Sequence, residues 1–528
     1  TIGVLTGMFL AALEATIVGT AMGKVVASLG GLKHVSWVFS AYLVASTVTV
    51  PIWGKLSDLY GRRPIYQIGV AIFLLGSIMS GFADTMPKLI GYRALQGLGA
   101  GALMPLAMTI VADIYTIEER ARMQAVFSGV WGLASVLGPL VGGFITDNMS
   151  WSWIFWINIP FGLASAAIIG FTLREPARTK RPVIDYAGAA VLTVAITMLM
   201  LVLVQAGENS AAMFEVRNLA MLAVVAGLLG VFYAIEKRAQ DPVVPLAMFK
   251  NRVVTVAVVA CFLSGIPMFC ALSFVPLFAQ TALGLGATAA GSLLTPLMLS
   301  WVLMSIVGGR LLLKIGFRTT VIIGLTLLII GFSLLASFKP SMARSWLYFD
   351  LILMGSGLGL TVLTLLLAVQ QAVPRTQLGV VTSLSQFSRS IGGALGVAIM
   401  GMILSASFTA NLNELAREKG GVLTSEMARQ YAANPNVLVD KDASVNIAAP
   451  VLSVLRDAMA GAMQNAFWLP TALAALALIS VFWLPRHGKK EDTPAPEACT
   501  PEAGERMVMA EMATLDAENE PAAVERVG

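Results

Sequence analysis

Glu14 stands near the middle of an uninterrupted apolar run, and Arg93 stands inside another. A charged side chain in hydrocarbon costs about 2.5–3.5 kcal/mol on insertion scales, so such an acid needs a reason to be there. The chemistry open to it is binding a proton in one state and releasing it in another, with Arg93 as its partner. Two plainer readings compete: an interhelical hydrogen bond for Glu14, and a side chain reaching to the outer interface for Arg93. Gln96 and Ala100 fall on the same helical face as Arg93, toward an expected cavity.

A second group is denser. "GKLSDLYGRRP", residues 54–64, puts one acid and several bases between two apolar stretches. Gly54 and Gly61 permit close approach and a tight turn, and Asp58 can pair with Arg62 or Arg63. Ordinary loop charge explains the bases but neither the acid nor the glycine spacing. Further on, "GVWGLASVLGPLVGG" places Gly132, Gly138, Gly142 and Gly143 in one helix with Pro139, a spacing for close packing and a bend. In "SQFSRSIGGALG" Arg389 lies beside Gln386, both candidates for a substrate cavity, while Gln370 and Gln371 read as structural.

The elements that carry these residues follow from composition. The chain of 528 residues is 57% hydrophobic and 12% charged, where a soluble chain carries about 25% charged residues. Apolar runs long enough to span a bilayer recur along most of it, and they are continuous, which argues against a barrel. The fold class is therefore an all-α polytopic membrane protein, with fourteen spans expected. The opening run lacks a basic leader and reads as a span, not a cleaved signal peptide. Three cysteines and two histidines suggest no disulfide, metal site or histidine relay. The net charge of +5 reflects loop topology, so no nucleic-acid partner is expected. No G-x-x-x-x-G-K-[ST] occurs, which removes an ATP-driven pump, and no enzyme activity is expected.

The 54–63 stretch has a worn copy, "GRLLLKIGFR", at an offset of 255 residues: Gly54 matches Gly309, Gly61 matches Gly316 and Arg63 matches Arg318. Gly99 and Gly101 match Gly357 and Gly359, and Gly138 and Gly142 match Gly392 and Gly396, at nearly the same offset. Two homologous six-helix halves are expected, residues 1–173 and 253–484, with a helix pair and its flanking loops inserted at 174–252. The second half includes a polar segment, 406–463, expected outside and helical at both ends. The tail, 485–528, is acidic and expected to be disordered. Lys and Arg crowd alternate short loops, which puts Lys55, Arg62, Arg63 and both termini in the cytoplasm. Paired halves suit a carrier whose midplane site opens to either side in turn.

At these residues the chain resembles the major facilitator superfamily, and within it the fourteen-helix drug:proton antiporters that include multidrug exporters of Gram-positive bacteria. The loop resembles the signature after helix two, "LIGYRALQGLGAGALMP" the helix-four signature with its arginine at Arg93, and "GVWGLASVLGPLVGG" the helix-five signature of antiporters. "ALEATIVGTAM", "WSWIFWINIPFG" and "SRSIGGALGVA" are similar to segments of the fourteen-helix group. The departures are Glu14 where Asp is commoner, Gly19 where Asn is common, and Gly23 where Pro is usual. The resemblance implies that Asp113 joins the loop cluster, and that the glycine helix forms a dry seam limiting proton leak. We read the cluster as a latch that holds an outward-open state.

The function expected is proton-coupled export of amphipathic or cationic compounds across a bacterial plasma membrane by alternating access. The rival is a dedicated exporter of one endogenous metabolite or lipid. Expected partners are small amphipathic substrates, protons and membrane lipids; the chain is expected to be a monomer, with no cofactor beyond the proton gradient. Glu14 is the sole acid expected deep in a span, which favours one proton per turnover. The inserted pair reads as a spacer or a lateral gate.

Overall fold

Gly61 takes φ 105°, ψ 156°, a region essentially reserved for glycine, and the chain turns there from one membrane-length helix into the next. Gly316 has nearly the same backbone, φ 82°, ψ 166°, at the position the internal repeat assigns to it. The computed structural model describes residues 1–30, 34–173, 185–208, 215–285, 287–338, 342–418, 423–433, 438 and 447–484. The expected disordered tail, the loop at 174–184 and part of the outer segment lie outside the described residues.

The described helices, in chain order, are α1 (Ile2–Leu29), α2 (Val35–Tyr60), α3 (Arg62–Gly81), α4 (Met86–Ile114), α5 (Ile117–Asn148), α6 (Trp153–Trp156), α7 (Asn158–Thr172), α8 (Tyr186–Glu208) and α9 (Val216–Glu236). They continue with α10 (Arg252–Thr281), α11 (Ala287–Ser292), α12 (Leu294–Ala336), α13 (Arg344–Gln371), α14 (Leu378–Glu418), α15 (Ser425–Ala433) and α16 (Ala449–Val481). No strand occurs among the described residues. Helices are what an apolar chain in lipid must adopt, because each satisfies its own backbone groups. Twelve of the described helical stretches are long and apolar enough to cross a membrane. One of them contains α12, whose two arms meet at Gly316.

Local chemistry starts the helices. A reciprocal capping box opens α5, where the Thr116 amide donates to Glu119 Oε2 at 2.9 Å. Asn251 opens α10 by accepting from the Val253 amide at 2.9 Å. The polar 406–463 segment is helical at both ends, since α14 runs on to Glu418 and α16 begins at Ala449.

Residues Thr1–Arg486 form one compact unit. Helices α1–α5 and α7 bury one apolar cluster that includes Val4, Leu10, Tyr66, Phe73, Leu103 and Ile169. A second, holding Ile17, Val25, Val38, Leu89, Ile154 and Phe155, lies further along α1 and nearer the start of α4. A larger cluster joins α10, α12, α13, α14 and α16. The contacts repeat as the sequence does. A Cβ at Gly99 would collide with the backbone of Gly69 and Phe73, and one at Gly357 with that of Gly324 and Leu328. Of the inserted pair, α8 packs Leu192, Ile196, Met200 and Leu203 against Val44 and Val48 of α2 and Ala398 of α14, while most of α9 is exposed.

Candidate functional site

Glu14, Ser77, Arg93, Gln96 and Asn158 come from four helices, and along the chain each falls between residues of the two apolar clusters. In α1, Leu10 belongs to one cluster and Ile17 to the other, with Glu14 between them. In α4, Leu89 and Ala100 bracket Arg93 and Gln96. The result is a polar layer closed by hydrocarbon on both sides. Glu14 is 0% exposed and Arg93 2%.

Within the layer Arg93 Nη1 donates to Glu14 Oε1 and to Gln96 Oε1, the latter at 2.7 Å. Arg93 Nε reaches the Val38 carbonyl at 3.4 Å, and its guanidinium lies 4.3 Å from the centre of the Tyr42 ring. The second carboxylate oxygen of Glu14 accepts from Asn158 Nδ2. That amide also donates to Ser77 Oγ at 3.0 Å, and Ser77 donates to the Phe155 carbonyl at 2.7 Å. Asn158 Oδ1 and Gln96 Nε2 have no partner among the described residues. The layer gives the Glu14 carboxylate and the Arg93 guanidinium further partners on either side of their own pair. The reading of Arg93 as reaching to the interface is excluded by its burial. Ala100, one turn beyond Gln96, belongs to an apolar cluster.

The glycine helix divides. A Cβ at Gly138 or Gly142 would strike α1 at Thr16, or at Thr20 and Ile17, and Thr16 Oγ1 donates to the Ala134 carbonyl at 3.1 Å. Gly132 and Gly143 face open space, which corrects the expectation that all four glycines share one packing face. At 100° per residue Gly143 is turned well away from Gly142, and Gly132 is not in register with Gly138. The side chain of Pro139 lies outside the described residues.

The 54–64 loop forms a buried cluster. Arg62 pairs with Asp58 through Nη1 and with Asp113 through Nε, the latter at 2.8 Å. It also donates to Ser57 Oγ at 3.1 Å and to the Arg375 carbonyl at 3.4 Å. Asp58 in turn accepts the amides of Gly379 at 3.0 Å and Val380 at 2.7 Å, at the start of α14. A carboxylate there meets the positive end of a helix dipole and two amides that have no intrahelical partner. Gly54 makes the approach possible, because a Cβ on it would overlap Ser383 and the Gly379 carbonyl. Arg63 is exposed. Lys55, the loop's other base, pairs with Asp241 beyond α9.

Arg389 and Gln386 bond to each other at 2.8 Å, and Arg389 Nη2 lies 3.8 Å from Cys261 Sγ, on the side of α14 that packs on α10. Gln370 donates to Thr382 Oγ1 at 3.0 Å. Sequence reasoning missed Tyr42, Ser77 and Asn158 in the layer. Asn158 was within reach, as an amide just inside an apolar helix. It also missed Asp350, which is buried near the start of α13.

The family model described as Major Facilitator Superfamily matches residues 4–397. The chain is 35% identical over 500 residues to "Multidrug transporter protein MdtP" of Bacillus subtilis (strain 168), covering 91% of each chain. It is 36% identical over 483 residues to "Multidrug resistance protein 3" of the same organism, covering 92% of this chain and 94% of that one. Among solved structures it resembles the human organic anion transporter MFSD10 (TETRAN). The TM-score is 0.59 at 16% identity, covering 91% of this chain and 98% of that one. That likeness concerns the fold alone.

Proposed function

This chain belongs to the major facilitator superfamily and is a multi-pass membrane transporter, not an enzyme, and from that premise we propose that it is a proton-coupled antiporter exporting amphipathic or cationic drugs across a bacterial plasma membrane. The observation that carries the proposal is the buried Glu14–Arg93 pair, set in a polar layer between two apolar clusters. The names of its Bacillus relatives support the substrate class.

The cycle follows from charge. With Glu14 ionised, Arg93 is neutralised and the layer is closed. A proton on Glu14 removes the carboxylate charge, and Arg93 then keeps Gln96, the Val38 carbonyl and the Tyr42 face as partners. A cationic drug competes with Arg93 and the proton for the same carboxylate, so it binds when the proton leaves. The halves, residues 1–173 and 253–484, rock about this layer, and the Asp58–Arg62–Asp113 cluster with its grip on α14 latches the cytoplasmic side. The Gly138–Gly142 seam against α1 keeps water from bypassing Glu14. One proton per turnover exchanged for a neutral drug draws on voltage, at about 2.3 kcal/mol per 100 mV. Exchanged for a monovalent cation, the same proton draws only on the pH difference.

Fourteen spans fit the architecture. Counting α5, and the two arms of α12 separately, adds two to the twelve apolar stretches. That supports membership of the fourteen-helix drug:proton antiporter group. The basic residues beside the latch, Arg62, Arg120 and Arg375, support placing that face and both termini in the cytoplasm.

The test is ethidium flux in proteoliposomes under an imposed pH gradient, wild type beside Glu14→Gln. Gradient-driven flux that disappears in the variant supports the proposal. Flux of equal rate and gradient dependence in the variant removes Glu14 from the proton path. A wild type that moves ethidium without regard to the gradient removes the coupling.

A further inference from the structure

Two acids stand outside both the Glu14 layer and the latch, at the foot of the inserted pair. Asp185 precedes α8. Its Oδ1 accepts the Gly188 amide at 2.8 Å, while its Oδ2 is buried with no partner among the described residues. Glu236 ends α9 and is 3% exposed. A Cβ at Gly188 would overlap Asp185 Oδ2 and come within 3.2 Å of Glu236 Oε1, so the two carboxyls border one small space.

That corner suits one negative charge better than two. Both Glu236 oxygens lie 3.4 Å from the Val244 amide, longer than an ordinary hydrogen bond. The last turn of α9 presents the negative end of its dipole. The charged side chains that face Glu236 are Asp185 from α8 and Lys55 from α2, and Lys55 is already paired with Asp241. Arg178, Lys180 and Arg181, in the loop before α8, lie outside the described residues. Like charges in so close a space disfavour full ionisation, and burial adds to the cost.

The corner is also a joint. Asp241 belongs to the segment after α9, whose Val243, Val244 and Met248 are buried in the apolar cluster of the second half. Lys55 stands one turn of α2 before Asp58, the acid of the latch. The Lys55–Asp241 pair therefore ties the latch helix to the connection between the halves.

We propose that Asp185 and Glu236 hold one proton between them and form a pH-sensitive clasp on that connection. With the proton on Glu236 the corner is closed, as in this structure. When the proton passes to water, the new carboxylate repels Asp185 and draws Lys55 from Asp241, which frees the segment after α9 from α2. The closed corner binds the proton, so it is favoured as pH falls and lost as pH rises. Only the assignment of this corner to the cytoplasm rests on the function proposed above.

The test is pulsed electron resonance between spin labels at Tyr60→Cys and Gln240→Cys, both exposed positions, with Cys499→Ser. The full chain is held in phosphatidylcholine nanodiscs over a range of pH, in the Glu14→Gln background so that the other acid cannot report. A single short distance is expected at low pH, giving way to longer ones as pH rises. Glu236→Gln should keep the short distance at every pH. Asp185→Asn should move the midpoint upward by about one pH unit or more, a tenfold change in proton affinity. A distance that does not change with pH overturns the proposal, as does a transition of the same midpoint in Glu236→Gln. A transition abolished by Arg181→Gln but not by Glu236→Gln overturns it too, since a base of the loop is then the titrating partner. Glu236→Gln copies the protonated form, so its failure to fold counts against the clasp as well. No flux is measured, so the outcome is separate from that of the export test.

Discussion

Asp58 and Gly379 lie 321 residues apart in the chain, and the Asp58 carboxylate accepts the Gly379 amide at 3.0 Å. With the neighbouring Val380 amide, it ties the end of α2 to the start of α14. Arg62 holds the same carboxylate from behind and is itself held by Asp113. One acid thus serves two tasks, pairing a base of its own loop and capping a helix of the other half of the chain.

Asp58→Asn keeps the shape but loses the charge that the helix dipole and Arg62 both meet, interactions of about 0.3–2 kcal/mol and about 1.5–3 kcal/mol. Drug flux at normal expression is expected to fall at least about tenfold, because the closed face is no longer favoured. Asp113→Asn, which leaves the α14 contact in place, is expected to do less. Equal flux in wild type and Asp58→Asn would sink the latch.

Arg93→Ala leaves Glu14 charged and buried with only Asn158 to meet it, a loss of about 3–5 kcal/mol. Adding Glu14→Gln to Arg93→Ala removes the stranded charge. Thermal melts in detergent should show the double variant more stable than Arg93→Ala alone. Additive losses would mean the pair is not coupled.

Asn158 orients the second oxygen of Glu14, a positioning task. Asn158→Ala is expected to cost about 1–3 kcal/mol and to shift the pH profile of flux while ethidium still binds. A variant whose flux falls equally at every pH would mark Asn158 as merely structural.

Gly138→Leu forces a side chain into Thr16 of α1 and is expected to raise proton leak in liposomes loaded with a pH dye. Gly132→Ala enters open space and is expected to leave leak unchanged, with a gain of up to about 1 kcal/mol from helix propensity. The seam idea fails if the two behave alike.

Gly61→Ala and Gly316→Ala each place a Cβ where the backbone leaves it little room, at about 1–3 kcal/mol. Both should lower the melting temperature by similar amounts, as two copies of one turn. A drop in only one would separate the copies.

Much of this was legible in one dimension. Hydropathy located the spans because the bilayer is a uniform solvent that every spanning segment meets alone. The glycine copies at 255 residues were legible because a turn that excludes Cβ leaves glycine in the sequence wherever it recurs. Glu14 and Arg93 stood out because a charge in hydrocarbon is rare.

Partners were the other matter. The pairing of Asp58 with α14 could not be read, since the donors are backbone amides that every residue carries, and only helix packing presents two of them unused. Gly132 and Gly143 look like Gly138 and Gly142 in sequence, and it is the rotation of α5 against α1 that separates them. Ser77 and Asn158 look like ordinary polar residues until four helices bring them level with Glu14. Composition and periodicity act along the chain and determined the all-helical class and the charged positions; where the last helices end, and which side chain meets which, depends on packing, crossing angles and rotations between helices, and those only the tertiary structure decided.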